Sequence, residues 1–576
     1  NSANNVRSYE LETMIYHCED HTCNYWDEGE KLPERCPQCG RKLLRANEAD
    51  MTGDDWTALG NTLWDAEASD KKRMVDCFRK AAYLGSAWGV CNLGICMEQG
   101  NGVEADPVQA FWLYRQAVEM GSLNAVCCLG VCYQYGIGTA PDAKQAAELY
   151  CKAAEYGSPR GQMLLARAFH DGIGVEADAA EAVHWVRAAA YQRYGEGMHR
   201  LGVCYEYGDG VEQNWERAVH WFREAAESGV SVAMTDLGYC YEKGCGVEQS
   251  WEQAFSWYRR GAECGYPVSM SNLGLCYKRG YGVEQNWQEA VKWYEQGAQC
   301  GDLQSMNNLA CCYEDGEGVE QNEERALYWY RRGAEAGSDY CMYCLGWNYS
   351  NGEGVEQNMT EAIRWYTAAA EGGNADAMHN LGWLYDHGEG VEQDMKKAIC
   401  WYERAAEQNH PAAMNSLGEC YAMGRGVPRD LETAMEWYRR AAELGEAMAD
   451  YNMGWHLEQA GKLSEAYAHY RKAADGNDDS AWWALGRFYE NGVVVAQDGK
   501  EARRCYETGE KLGSVKCKMR LARCKLLGIG DRREKKAGLD LCRQALELAK
   551  ESSEKEDYGY EAEMNLLRRT IAENES

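Results

Sequence analysis

Residues 375–409 decide the fold, and they read ADAMHNLGWLYDHGEGVEQDMKKAICWYERAAEQN. From Met378 to Tyr385 the apolar residues recur every three or four positions, which is the spacing of one face of a helix. Gly388 begins a glycine-containing turn, and Asp394 follows as a residue type that caps helix N-termini by accepting a backbone N–H hydrogen bond. Small and aromatic residues then recur at helical spacing, so the segment predicts a hairpin of two amphipathic helices.

This unit repeats ten times at a spacing of 36 residues, without an insertion or a deletion. Its marker is a capping residue shortly after the Gly-x-Gly turn, which fixes the start of the second helix. The ten capping residues are Asp106, Asp142, Asp178, Asn214, Ser250, Asn286, Asn322, Asn358, Asp394 and Asp430. A period of this length is typical of a solenoid, in which each hairpin buries its apolar face against its neighbours.

Three regions follow from this pattern. Residues 1–50 are irregular and contain four clustered cysteines, residues 51–530 are repeats, and residues 531–576 form a charged helical tail. More degenerate repeats extend outward to Leu59 and Leu521, which gives about 14 hairpins. We therefore predict an all-α solenoid of about 14 helical hairpins, preceded by a small zinc ribbon and closed by capping helices in the tail.

The composition argues against several classes of function. The net charge is −31 over 576 residues, which disfavours binding to nucleic acid or to an anionic membrane surface. We interpret the charge as a source of solubility, and the alternative is that it attracts a basic partner. No apolar run approaches the ~18 residues of a membrane-spanning helix, and residues 1–7 lack the apolar stretch of a signal peptide. We expect a cytoplasmic protein that does not enter a membrane.

The cysteines are too regular for an oxidised scaffold. Seven of the 27 cysteines share one repeat position, and equivalent positions in neighbouring hairpins should lie roughly 8–10 Å apart. A disulfide needs Cα atoms within about 7 Å. We expect these residues to act as small buried packing residues in a reducing compartment. They are Cys96, Cys132, Cys204, Cys240, Cys276, Cys312 and Cys420.

Four other cysteines have the spacing of a zinc site. Cys18 and Cys23 form one pair, and Cys36 and Cys39 form a second pair twelve residues later. Gly40 follows the second pair and allows it to turn tightly around a metal ion. Four thiolates leave no open position for water, so we expect a structural zinc ion and not a catalytic one. The alternative is four unlinked thiols.

The first helix of each hairpin has a second face that the core does not need. In residues 375–409 this face contains Asn380, Trp383 and His387. An asparagine column can hydrogen-bond an extended peptide, and tryptophan supplies apolar contact area. We predict a protein- or peptide-binding groove formed by this face. Its residues are Tyr239, Asn272, Asn308, Trp347, Asn380, Trp383, His387, Asn452 and Trp455. The alternative is that the asparagines favour an exposed face and the tryptophans pack against neighbouring repeats.

The repeat resembles the Sel1-like repeats, which are related to the tetratricopeptide family. The pattern is Ala-x-x-x-Leu-Gly-x-x-Tyr-x-x-Gly-x-Gly-Val, followed by Ala-x-x-Trp-Tyr-x-x-Ala-Ala-x-x-Gly. The resemblance implies a right-handed α-solenoid that serves as an adaptor or scaffold for other proteins, with the first helices lining its concave surface. A cytosolic bacterial origin suits the cysteines and the style of the repeats.

We therefore favour a non-enzymatic binding scaffold over two alternatives. One alternative is an enzyme or a regulatory subunit of one. An enzyme would be recognised by a repeat in which histidine, aspartate and serine side chains all point inward. The repeat with Arg167, His170 and Asp171 departs most from the pattern, with Leu165–Ala166 in place of Leu–Gly, but it forms no recognisable catalytic set. The other alternative is a zinc-ribbon protein that binds nucleic acid and uses the repeats for assembly.

Overall fold

The computed structural model describes residues 15–18, 26–28, 43–45, 51–64, 68–555 and 560–575. The chain divides into two compact units, Asn1–Ser305 and Met306–Ser576. The described residues form 29 α-helices and three short β-strands. Among these residues, no helix is both long enough and apolar enough to cross a membrane.

The strands of the first unit form one antiparallel sheet. They are β1 (Ile15–Cys18), β2 (Trp26–Glu28) and β3 (Leu43–Arg45). The sheet order is β2-β1-β3, with His17 opposite Trp26 and Cys18 opposite Leu43. Of the predicted zinc ligands, Cys18 ends β1, whereas Cys23, Cys36 and Cys39 lie outside the described residues.

The helices of the first unit follow one another as hairpins in which an odd-numbered helix pairs with the next even-numbered helix. They are α1 (Gly53–Thr62), α2 (Ala68–Tyr83), α3 (Ala87–Gln99), α4 (Pro107–Glu119), α5 (Leu123–Tyr135), α6 (Ala143–Glu155), α7 (Pro159–Asp171), α8 (Ala179–Tyr191), α9 (Gly195–Tyr207), α10 (Trp215–Glu227), α11 (Ser231–Lys243), α12 (Trp251–Glu263), α13 (Pro267–Arg279) and α14 (Trp287–Gln299). Helix α15 (Leu303–Asp315) contains the boundary between the two units.

The second unit continues the same arrangement. Its helices are α16 (Glu323–Glu335), α17 (Asp339–Asn351), α18 (Met359–Glu371), α19 (Ala375–His387), α20 (Met395–Glu407), α21 (Pro411–Met423), α22 (Leu431–Glu443), α23 (Ala447–Gln459), α24 (Leu463–Asp475), α25 (Asp479–Asn491), α26 (Gly499–Lys511), α27 (Val515–Leu527), α28 (Lys535–Lys555) and α29 (Glu561–Glu575). Helix α28 pairs with α27, and α29 packs against both.

The predicted capping column is confirmed in all ten repeats. Each capping residue precedes an even-numbered helix, from α4 to α22, and its side chain accepts a hydrogen bond from the backbone N–H three positions later. At α20, for example, the Lys397 N–H donates to Asp394 Oδ1 at 3.1 Å. The preceding turn needs glycine because Gly388 and Gly390 have φ values of 73° and 70°, in the left-handed region.

In most odd helices a glycine accommodates an aromatic ring of the next even helix, whereas α7, α15 and α27 have Ala166, Ala310 and Ala522 at that position. A Cβ atom on Gly382 would lie 2.5 Å from the ring of Tyr402, and the same conflict recurs between Gly130 and the ring of Tyr150. These two rings are buried at the centre of their hairpins. The repeated Leu–Gly signature therefore exists because a ring occupies the space that a larger side chain would need.

The cysteine column is buried, as predicted. Its seven members are 0–3% exposed, at positions shared with the alanine- and leucine-rich core. The cysteines from Cys77 to Cys542 are all free thiols, including Cys341 and Cys344 on one turn of α17. Burial raises the pKa of the Cys276 thiol to about 12. The Cys276 thiol therefore stays protonated and behaves as a small apolar group.

Candidate functional site

Four odd-numbered helices, α11, α17, α19 and α23, each present one large aromatic side chain to solvent at the same repeat position. Each of these side chains lies one residue after the repeat position of the ring-contacting glycine, so it points away from the buried core. In the first unit Tyr239 of α11 is 44% exposed. In the second unit Trp347, Trp383 and Trp455 are 45%, 37% and 38% exposed. We call the residues two before and one after this glycine position on the odd-numbered helices, together with His387 on α19, the odd-helix face.

The first unit contributes Tyr239 and Asn272 to this face. Asn272 of α13 is half-buried. The Lys243 ammonium lies 5.7 Å from the centre of the Tyr239 ring, so a cation already contacts this aromatic surface. Leu275 extends the apolar area on α13 and is 37% exposed.

The second unit contributes the denser part of the face. On α19 the rings of Trp383 and His387 stack at 4.4 Å with an interplanar angle of 24°. The His387 Nδ1 atom lies 3.0 Å from the Trp383 carbonyl oxygen. This contact supports the stacked arrangement, and both side chains remain exposed. Asn308 of α15 is half-buried.

Two asparagines of the predicted groove already have partners within the second unit. The Asn452 amide donates to Asn415 Oδ1 at 3.0 Å and to Glu419 Oε1 at 3.2 Å. Burial raises the pKa of Glu419, and these amide bonds oppose that shift. Asn380 similarly hydrogen-bonds Tyr366 and thereby limits the pKa increase that burial imposes on that phenol. The Asn452 amide therefore uses its hydrogen bonds within the protein, where they hold neighbouring side chains of this face in place.

A charged network supports this part of the face. Arg425 Nη1 lies 2.8 Å from Asp386 Oδ1, and its Nη2 lies 3.6 Å from Glu419 Oε2. Asp386 is 4% exposed, so Arg425 supplies the charge that a buried carboxylate requires. This network joins α19 to the turn after α21 and fixes the spacing between adjacent odd helices.

The structure brings together one set of side chains that sequence analysis did not assemble. Arg167, His170 and Asp171 of α7 lie beside Arg200 of α9 and beside Asp209, which follows α9. The His170 Nδ1 and Nε2 atoms lie 2.6 Å from Asp171 Oδ1 and 3.2 Å from Asp209 Oδ2. The hydrogen bond from His170 lowers the pKa of Asp171.

This cluster borders a cavity of about 370 Å³ within the first unit. Its described lining contains no serine or other hydroxyl side chain, and burial raises the pKa of its one thiol, Cys204, to about 11, so the set differs from the histidine, aspartate and serine set that would favour an enzyme. The signal in the sequence was the replacement of Leu–Gly by Leu165–Ala166 together with a valine, Val186, in the aromatic column of the even helices.

A metal site of at least three histidine, cysteine, aspartate or glutamate residues is absent from the part of the chain that the structure describes. That part contains the repeats but only Cys18 among the four predicted zinc ligands. The zinc prediction therefore depends on residues outside the repeats.

The repeats match a known family model, described as the Sel1 repeat, in twelve consecutive segments. The segments are residues 89–122, 125–158, 159–194, 195–230, 231–266, 267–302, 303–338, 339–374, 375–410, 411–446, 447–478 and 481–514. No curated protein sequence matches the chain.

The chain is similar to two solved proteins. The chain is similar to c5321, a protective antigen of uropathogenic Escherichia coli with an SLR fold, at 28% identity and a TM-score of 0.53. That alignment covers 74% of this chain and 94% of the antigen. A Sel1 repeat protein from Oxalobacter formigenes is 32% identical, with a TM-score of 0.39, and the alignment covers 42% of this chain and 96% of that protein.

Proposed function

Because the chain belongs to the Sel1-repeat family, we propose that it is a non-enzymatic scaffold that binds a protein or peptide on its odd-helix face. Sel1-repeat arrays suit protein interaction in general, since stacked hairpins hold many side chains in fixed positions. Such preorganisation lowers the entropy that is lost on binding.

One observation carries this proposal: aromatic side chains recur at one solvent-facing repeat position. Trp347, Trp383 and Trp455 keep between 37% and 45% of their surface exposed. The hairpins are stabilised elsewhere, by the glycine–ring contacts and the buried cysteine column. Tryptophan and tyrosine are enriched among the residues that dominate binding energies. A surface that exposes them repeatedly is therefore suited to contact another protein.

The charge of the chain favours a basic partner. The net charge is −31, so a partner with exposed lysine and arginine would be attracted over long distances. The exposed aromatic rings would also contact such cations through their faces, as Lys243 contacts Tyr239. A partner without a positive surface would bind without this contribution.

The proposal can be tested with two matched triple variants of the full chain. Trp347→Ala, Trp383→Ala and Trp455→Ala remove the exposed tryptophans of the odd helices, whereas Tyr328→Ala, Leu431→Ala and Leu444→Ala remove exposed side chains on, or directly after, even helices. Immobilised wild type and both variants are compared for the proteins that they retain from a lysate of the source organism. We expect retention to be lost only in the tryptophan variant. Equal retention by both folded variants would refute the proposal.

We also propose that Cys18, Cys23, Cys36 and Cys39 hold a structural zinc ion. Strand β1 ends at Cys18, and Leu43, opposite Cys18, follows Cys39 by four residues. Trp26 follows Cys23 by three residues and pairs with His17, so both cysteine pairs are close in sequence to the same end of the sheet. Zinc at this position would stabilise a segment too short to have its own core.

Metal analysis tests the zinc proposal. The purified full chain should contain one zinc ion, and Cys36→Ser with Cys39→Ser should remove it. Cys264→Ser with Cys300→Ser is the matched control, because these exposed cysteines belong to the repeats. A chain without zinc, or a Cys36 and Cys39 variant that retains it, would contradict the proposal.

A further inference from the structure

Side chains of neighbouring odd helices meet at two fixed repeat positions. The first position lies three residues before the ring-contacting glycine position, and the second lies two residues before it on the next odd helix. Polar side chains at these two positions hydrogen-bond each other across adjacent hairpins. Such pairs are His199 with Asp236 at 2.6 Å, His379 with Ser416 at 3.4 Å and Asn415 with Asn452 at 3.0 Å.

In α3 and α5 these two positions contain a pair of thiols. Cys91 lies three residues before Gly94 of α3, and Cys128 lies two residues before Gly130 of α5. The Cys91 thiol donates a hydrogen bond to the sulfur of Cys128, so these two side chains meet as the polar pairs do. Among the described repeats, no other neighbouring odd helices have cysteine at both positions. Cys128 also belongs to the odd-helix face, because it has the repeat position of Asn380.

An arginine contacts the sulfur of Cys128. Arg160 of α7 places its Nη1 atom 3.6 Å from Cys128 Sγ. The hydrogen bond from Cys91, together with the charge of Arg160, lowers the pKa of the Cys128 thiol, although burial opposes this shift. The same hydrogen bond raises the pKa of Cys91, and burial raises it further. The two sulfurs therefore differ: Cys128 is the better thiolate, and Cys91 keeps its proton beside it.

The adjacent residue Cys127 lacks this arrangement. It has the first of the two positions on α5, but the residue at the second position on α7 is Leu164, which offers no thiol. Its sulfur lies 3.9 Å from Ser158 Oγ, and burial raises its pKa. Cys127 is therefore a matched reference for Cys128, because it is a buried cysteine of the same helix without a second sulfur at the opposing position.

We propose that Cys91 and Cys128 form a reversible disulfide when the protein is exposed to hydrogen peroxide. The Cys128 thiolate attacks one peroxide oxygen and becomes a sulfenic acid, while the O–O bond breaks and the other oxygen leaves as hydroxide, which takes up a proton. The Cys91 sulfur then attacks the sulfenic sulfur, so that an S–S bond forms, the S–O bond breaks and water leaves with the Cys91 proton. Two thiols and one peroxide thus give one disulfide and two water molecules, and a dithiol reductant reverses the reaction.

The burial of the pair selects a small oxidant. Cys91 is 1% exposed and Cys128 is 5% exposed, so a molecule the size of hydrogen peroxide has better access than a protein or peptide disulfide. The cross-link would join α3 to α5 and fix the spacing of two neighbouring odd helices at the odd-helix face. A disulfide that forms only under oxidation is compatible with a reducing compartment, where disulfides are transient and serve redox sensing.

Peptide mapping of the full chain tests the cross-link. The folded protein is treated with hydrogen peroxide, its remaining thiols are blocked with iodoacetamide, and its peptides are analysed by mass spectrometry. We expect two peptides joined through Cys91 and Cys128, and we expect dithiothreitol to separate them. Unlinked Cys91 and Cys128 at a peroxide concentration that oxidises the exposed Cys264 and Cys300 would overturn the proposal.

Three variants of the full chain assign the roles, and circular dichroism checks that each is folded. Cys91→Ala removes the second thiol, so Cys128 should accumulate as a sulfenic acid that dimedone traps. Cys127→Ala is the matched control and should keep the cross-link. Arg160→Met removes the cation beside the thiolate and should slow cross-linking about three- to tenfold at pH 7. Absence of a dimedone adduct on Cys128 in folded Cys91→Ala, or an unchanged rate in Arg160→Met, would overturn the assigned roles.

Discussion

The contact between Gly382 and Tyr402 provides the sharpest test of how the repeats are held together. A Cβ atom at position 382 would lie 2.5 Å from the Tyr402 ring, well inside van der Waals contact. Overpacking of this kind costs about 1–3 kcal/mol, and the better helix propensity of alanine returns up to ~1 kcal/mol. We therefore expect Gly382→Ala to destabilise its hairpin by about 1–2 kcal/mol.

Hydrogen exchange is the appropriate assay, because a repeat array opens locally and a single unfolding transition is not assured. Exchange of the α19 and α20 amides should accelerate about 5- to 30-fold, while α9 and α10 stay unchanged. Tyr402→Val in the same chain would remove the ring and recreate the Ala166–Val186 combination. The double variant should be less destabilised than the sum of the two single variants. Strict additivity, or an unchanged rate in Gly382→Ala, would refute the ring-accommodation argument.

Other consequences of the structure can be measured on the second unit. Asn358→Ala removes the side chain that accepts a hydrogen bond from the Glu361 N–H, which lies 3.2 Å from Asn358 Oδ1. Hydrogen exchange should show α18 destabilised by about 0.5–2 kcal/mol, whereas the control Thr360→Ala should leave it unchanged. Burial, together with stacked His410, lowers the pKa of His379 to about 4, so the unfolded chain binds a proton there between pH 6.5 and 4 while the folded chain does not. Stability should fall as pH falls through that window, and His379→Gln should flatten the fall; an unchanged pH profile would contradict this. Arg425→Met leaves the buried Asp386 carboxylate unpaired and should cost about 3–5 kcal/mol locally, a loss that Asp386→Asn in the same chain should reduce.

The architecture of the repeats follows from local signals in the sequence. Each capping residue, such as Asp394, acts within its own turn, and each glycine, such as Gly388, is required by a local backbone conformation. Because the pattern recurs every 36 residues, a correct prediction for one hairpin applies to every repeat that keeps the pattern. The same periodicity identified the positions of Trp347 and Trp383 as solvent-facing, because they lie opposite the buried stripe of their helices.

Contacts between hairpins were harder to predict. The Asn452 amide hydrogen-bonds Asn415 and Glu419 of the preceding odd helix, so its donors are partly used by a partner that helix periodicity alone does not reveal. The cavity beside Val186 had a signal in the sequence, namely a valine in an otherwise aromatic column. That signal becomes meaningful only when Ala166, His170 and Asp209 are placed around it, because Asp209 approaches from the turn after the next odd helix.

Photocrosslinking tests the central claim most directly. A photoreactive amino acid is placed at position 383 on the odd-helix face and, in a separate chain, at position 444 after an even helix, since both positions are solvent-exposed. The account predicts crosslinks to partner proteins from position 383 and none from position 444. Crosslinks from position 444 alone, or in equal amount from both, would contradict it.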